Sequence, residues 1–86
     1  MATLIKADET STEVKPKNNK KHFSLEELQK FVGGYIQIAN TTDGRLMIMN
    51  EEGRLNGLPF NKIATDLYRN SVIVGDVLVC KQNEVK

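Results

Sequence analysis

The stretch Ser24-Leu25-Glu26-Glu27 and the glycine at 33 fix both ends of one short helix, and the remainder of the chain has to be built around it. The Ser24 hydroxyl can accept the amide of Glu27 while the Glu27 carboxylate reaches back to the Ser24 amide, so two donors that a helix start leaves unpaired are satisfied together. Phe23, just ahead of the cap, stands where it can staple onto Leu28. Leu25, Leu28, Phe31 and Val32 recur at helical spacing on one face, and Gly33 supplies the left-handed conformation that closes the helix. This predicts a helix over 24–32 whose apolar face needs a cover.

A hairpin supplies that cover. Residues 35–39 and 45–49 alternate in polarity around Asn40-Thr41-Thr42-Asp43-Gly44, whose residue types tolerate positive φ. Ile36 and Ile38 share one face, as do Leu46 and Ile48, and that face is aliphatic. The other face carries Tyr35, Gln37, Arg45, Met47 and Met49; its methionines fit either a core or a contact between subunits. Residues 3–7 and 12–15 read as two strands around the polar turn 8–11, and Pro16 ends the second because it has no amide to donate. Asn61 caps a second helix with Ile63, Ala64, Leu67 and Tyr68 on its buried face and Asn70 as its terminator. The runs 71–74 and 77–80 flank Gly75-Asp76, giving one kinked strand or two short ones. The fold class expected is therefore α+β, a small mixed or antiparallel sheet of about five strands with two helices in the order β-β-α-β-β-α-β.

At 86 residues the chain has material for one core, so a single domain over 1–86 is expected, with 16–22 a basic loop and 82–86 a frayed tail. Twelve basic against eleven acidic residues give a formal charge of +1, which provides no overall field for nucleic acid or an anionic membrane and does not resemble a row of phosphates. The apolar runs are far shorter than a bilayer span and no signal-peptide core follows Met1, so a cytoplasmic location is expected. Cys80 and His22 are the only residues of their kinds, which leaves neither a disulfide nor a Cys/His zinc site within the chain. Cys80 ends an aliphatic run and reads as a small buried hydrophobe rather than a reactive thiol.

Few residues offer chemistry. Glu51 and Glu52 could serve as an acid–base pair or hold a divalent cation, but neighbours in sequence usually diverge, and a turn role accounts for them. Gly33-Gly34 completes no phosphate-binding fingerprint, and no serine sits in a nucleophile elbow. Lys15, Lys17, Lys20 and Lys21 form a patch able to contact phosphates, although it lacks the aromatics or arginines that grip nucleic acid. No enzyme, cofactor or metal site is expected.

Three segments together carry a family resemblance: Leu25-Glu26-Glu27-Leu28-Gln29 leading into Val32-Gly33-Gly34-Tyr35-Ile36; Asn50-Glu51-Glu52-Gly53 followed by Leu58-Pro59-x-Asn61-x-x-Ala64-Thr65; and 73–79 around Gly75-Asp76. In that order they resemble the domain-of-unknown-function 3846 family, small proteins found largely in bacteriophages and mobile elements. The resemblance takes in the amino-terminal strand pair, but this chain lacks the glycine expected near Glu9 and has a more basic link at 16–22. It implies a viral or mobile-element accessory protein and, as polar site residues, Asn50, Glu51, Glu52, Asn61, Thr65 and Asp76.

The expected function is then a non-enzymatic protein that counters host defence by binding, either sequestering a nucleotide-like signal or occluding a host defence protein. With little interior volume, the ligand would sit between subunits of a homo-oligomer, walled by Tyr35, the 50–53 turn and the Asn61 helix start. Alternatives are nucleic-acid binding through the 15–22 loop and metal-assisted hydrolysis at Glu51 and Glu52.

Overall fold

A computed structural model describes residues 2–16, 22–53, 55–69 and 72–84. The elements are β1 (Ala2–Ile5), β2 (Ser11–Val14), α1 (Leu25–Val32), β3 (Ile36–Asn40), β4 (Leu46–Asn50), α2 (Lys62–Tyr68) and β5 (Val77–Cys80), followed by one 3-10 turn at Gln82–Glu84. The five strands form one sheet in the order β2-β1-β5-β4-β3, and every adjacent pair is antiparallel. The α+β class and the element order agree with the sequence reading.

Local chemistry accounts for most boundaries. Glu27 N–H donates to Ser24 Oγ at 3.2 Å and Ser24 N–H to Glu27 Oε1 at 3.1 Å, which completes the capping box. Gly33, at φ 80°, closes α1 by donating its N–H to Gln29 O. In the β3–β4 turn, Thr41 N–H reaches Arg45 O at 2.8 Å, and the Asp43 carboxylate takes the Thr41 hydroxyl and the Arg45 guanidinium. α2 ends at Arg69, which itself takes the left-handed conformation; the terminator expected at Asn70 lies outside the described residues.

β5 holds the structure together, because it runs through the middle of the sheet and is buried on both faces. Leu78 and Cys80 point to the side covered by α1, where they meet Phe23, Leu28, Val32 and Ile48. Phe23 and Phe31 stack edge to face there, with ring centroids 5.9 Å apart. Val77 and Val79 point to the opposite side and pack with Ile5, Met47, Met49, Ala64 and Ile73, roofed by Ile63, Leu67 and Tyr68 of α2. Each aliphatic side chain so enclosed contributes about 1.5–3 kcal/mol relative to exposure. The helices therefore cover opposite faces of one sheet.

This layering overturns one of the two readings of the hairpin's mixed face. Met47 is completely buried and Met49 nearly so, both beneath α2, so they are core residues and unavailable for a subunit contact. Their face is polar in sequence only at Tyr35, Gln37 and Arg45, which lie toward the strand ends or the sheet edge. The bend at Gly75 also resolves to one arrangement: β5 begins after it, and the preceding residues run against the approach to α2 through the bridge Phe60–Val74. Gly75 adopts φ 77°, and a Cβ on it would meet Leu58 Cδ1 at 2.7 Å, so only glycine passes there without displacement.

Candidate functional site

Asn50, the last residue of β4, organises the turn that follows. Its Nδ2 donates to Val32 O at 3.1 Å, at the carboxyl end of α1, and its Oδ1 accepts Glu52 N–H at 2.8 Å. An asparagine suits this position because one short side chain presents a donor and an acceptor together. Gly34 makes the approach possible, since a Cβ there would lie 3.0 Å from the Asn50 amide nitrogen. Glu51 N–H continues the hairpin pairing to Tyr35 O at 2.9 Å, and Gly53 N–H closes the turn on Asn50 O at 3.2 Å. The backbone of 50–53 is thereby fixed while the Glu51 and Glu52 side chains stand in solvent.

The turn forms one wall of a surface hollow of about 330 Å³. Gln37 from β3, Met49 from β4, Leu55, Tyr68 at the end of α2 and residues 72–74 complete its lining. Leu55 is 85% exposed and Val72 48%, an unusual degree of exposure for two aliphatic side chains facing the same hollow. Glu51 and Glu52 are the charged groups of the described lining, which holds no cation. The hollow thus presents carboxylates beside apolar surface.

The other expected site residues lie elsewhere. Asn61 is completely buried: its Oδ1 caps α2 by accepting Ala64 N–H at 3.0 Å, and its Nδ2 donates to Ile5 O at 3.0 Å and Gly75 O at 2.8 Å. Thr65 Oγ1 accepts Ile73 N–H at 2.9 Å and turns back to Ile73 O at 3.3 Å. Asp76 accepts the Ala7 amide at 3.0 Å, tying the turn after β1 to the start of β5. These three side chains are joints of the fold. The start of α2 faces Ile5 and Gly75, so it cannot wall a pocket with the 50–53 turn, and it is the far end of α2 that does so. Tyr35 is 67% exposed beside the turn but outside the lining.

Of the basic loop, Lys15 is exposed after β2, at the edge of the sheet opposite β3, while Lys17, Lys20 and Lys21 lie outside the described residues. Sequence reasoning missed Gln37, Leu55, Tyr68 and Val72. Solvent-exposed Leu55 carries no pattern, and Tyr68 reads as part of the buried helical face, where it is partly buried against the core and also lines the hollow.

Among the described residues, no three His, Cys, Asp or Glu side chains stand close enough to hold a metal ion. Nor is any helix among them long and apolar enough to cross a membrane. No curated protein and no solved structure matches the chain. A family model, however, spans residues 2–86, the strand pair, both helices and the hairpin included. The chain belongs to the family described as Domain of unknown function (DUF3846).

Proposed function

We propose that this protein is a non-catalytic binding protein of a phage or mobile element, and that it acts against a host defence system by occupying a protein partner at the hollow beside the 50–53 turn. The observation that carries this reading is the composition of that hollow: two carboxylates on a fixed turn, set against Leu55, Val72 and Tyr68. A segment bearing lysine or arginine next to an aliphatic or aromatic side chain complements both halves. A nucleotide-like signal is the weaker fit, because its phosphates would meet Glu51 and Glu52 with no described cation to offset them. The non-catalytic part of the reading rests on Glu51 and Glu52 being adjacent, solvent-exposed turn residues, an arrangement that gives an acid–base pair neither burial nor a fixed mutual geometry. The defence setting rests on what the family resemblance implies, a viral or mobile-element accessory protein.

The test is a titration of isotope-labelled protein with a short peptide alternating arginine and leucine, and in parallel with a cyclic dinucleotide and ADP-ribose. The peptide should move the Gln37 side-chain amide and the Gly53 amide, with an affinity that falls as salt screens the rim. The double substitution E51K/E52K should weaken it at least about tenfold, equivalent to about 1.4 kcal/mol. Perturbation of those resonances by the nucleotides and not by the peptide would replace protein occlusion with signal sequestration.

A further inference from the structure

The two edges of the sheet are built differently. The β2 edge carries Glu13 and runs into Lys15 and Pro16, charged and donor-free residues of the kind that discourage a second strand from pairing. The β3 edge has no such protection. From Phe31 through Thr42 the chain contains no charged residue and no proline, and Ile38 in the middle of β3 is 47% exposed.

The hydrogen bonds of the hairpin show which backbone groups face outward. Thr41 N–H bonds to Arg45 O and Glu51 N–H to Tyr35 O, so positions 35, 37, 39 and 41 turn their backbone groups toward β4. Ile36, Ile38 and Asn40 therefore turn theirs away, and none of the three has a backbone partner on that side among the described residues. These three positions form a pattern that matches itself under a two-fold rotation about Ile38. Ile38 would pair with Ile38 of a second copy, and Ile36 with Asn40 in each direction, so that all six outward-facing donors and acceptors are used at once. In this register no charged side chain faces another, whereas like charges directly opposed would destabilise a pairing.

We infer that β3 pairs antiparallel with β3 of a second copy of this chain, joining the two sheets into one of ten strands. The occupant follows from self-complementarity: one short strand supplies both the donor pattern and its match, and the half-exposed Ile38 is covered by its own counterpart. A two-fold axis through paired strands stands perpendicular to the sheet, so both α2 helices and both hollows come to the same side. Gln37, which lines the hollow, then lies opposite Ala39 of the other copy. Because the pairing involves only five residues a side, its area falls at the small end of specific interfaces, and association should depend on concentration. The inference stands whether or not the hollow binds a protein.

The test is sedimentation of the full chain from low micromolar to several hundred micromolar, with amide exchange followed in the same samples. A monomer–dimer equilibrium is expected, with the Ile36, Ile38 and Asn40 amides slowing as dimer forms. Ile38→Lys and, separately, Asn40→Lys should each leave the circular dichroism of the monomer unchanged while weakening dimerisation at least tenfold. Two variants are used because a substitution at 38 that also disturbed the fold would be exposed by its neighbour at 40. A chain monomeric at the highest concentration, a dimer indifferent to both substitutions, or a dimer in which those three amides still exchange freely would each overturn the proposal.

Discussion

Replacing Asn61 by alanine should cost more stability than any surface change in this protein. The substitution removes the cap of α2, for about 1 kcal/mol. It also strips the buried carbonyls of Ile5 and Gly75 of a donor, at the low end about 1 kcal/mol for each. The sum is about 3 kcal/mol, to be set against a total of about 4–13 kcal/mol for a chain of 86 residues at typical stability per residue. In urea, with a slope of about 1 kcal/mol per molar, the unfolding midpoint should fall by about 3 M. Asn61→Ser partitions the loss, because serine caps a helix as well as asparagine but cannot reach both carbonyls. It should recover about 1 kcal/mol and leave a deficit of about 2 kcal/mol. Equal stability of the serine variant and the wild type would refute the claim that this side chain joins β1 to the bend before β5. Since Asn61 lies away from the hollow, peptide binding by the folded fraction should be unchanged.

Two further outcomes follow from the turns. Glu9 adopts φ 73°, a left-handed conformation in the β1–β2 turn, at the place where the family resemblance implies a glycine nearby. Glu9→Gly should relieve about 1–2 kcal/mol of backbone strain against about 0.5–1 kcal/mol of added unfolded-state freedom, a net gain of about 0.5–1 kcal/mol visible as a higher melting temperature; a lower one would contradict it. In the β3–β4 turn, the Arg45 hydrogen bond and then that of Thr41 hold the Asp43 carboxyl at about 2, below its ordinary 3.8. A carboxyl depressed on folding adds stability above its unfolded value and loses it as pH falls, here between about 3.8 and about 2. A carbon-detected titration should find that midpoint, and Arg45→Gln should move it upward; an unmoved midpoint would remove Arg45 as the principal cause.

Of the candidate site only the 50–53 turn was legible along the chain, and the division follows the range of the interactions. The 50–53 turn could be recognised because Asn50 bonds to Glu52 N–H two residues away, an arrangement that residue preferences record. Gln37, Tyr68 and Val72 join it only because β3, the end of α2 and the segment before β5 converge there, and no local pattern marks such convergence. Asn61 shows both cases in one side chain. Its bond to Ala64 is a cap readable from Asn61 and the helical pattern after it, whereas its bond to Ile5 spans 56 residues.

The capping box at Ser24 and Glu27, the stop at Gly33 and the turn at Asp43-Gly44 were settled by residues within a few positions of one another, since short hydrogen bonds and φ preferences act over that distance. The position of β5 between β1 and β4 was not, and neither was the burial of Met47 and Met49 under α2. Alternation assigns side chains to two faces of a strand but does not say what covers either face. Hydrophobic attraction has no direction of its own, so the cover was chosen by the path of the whole chain.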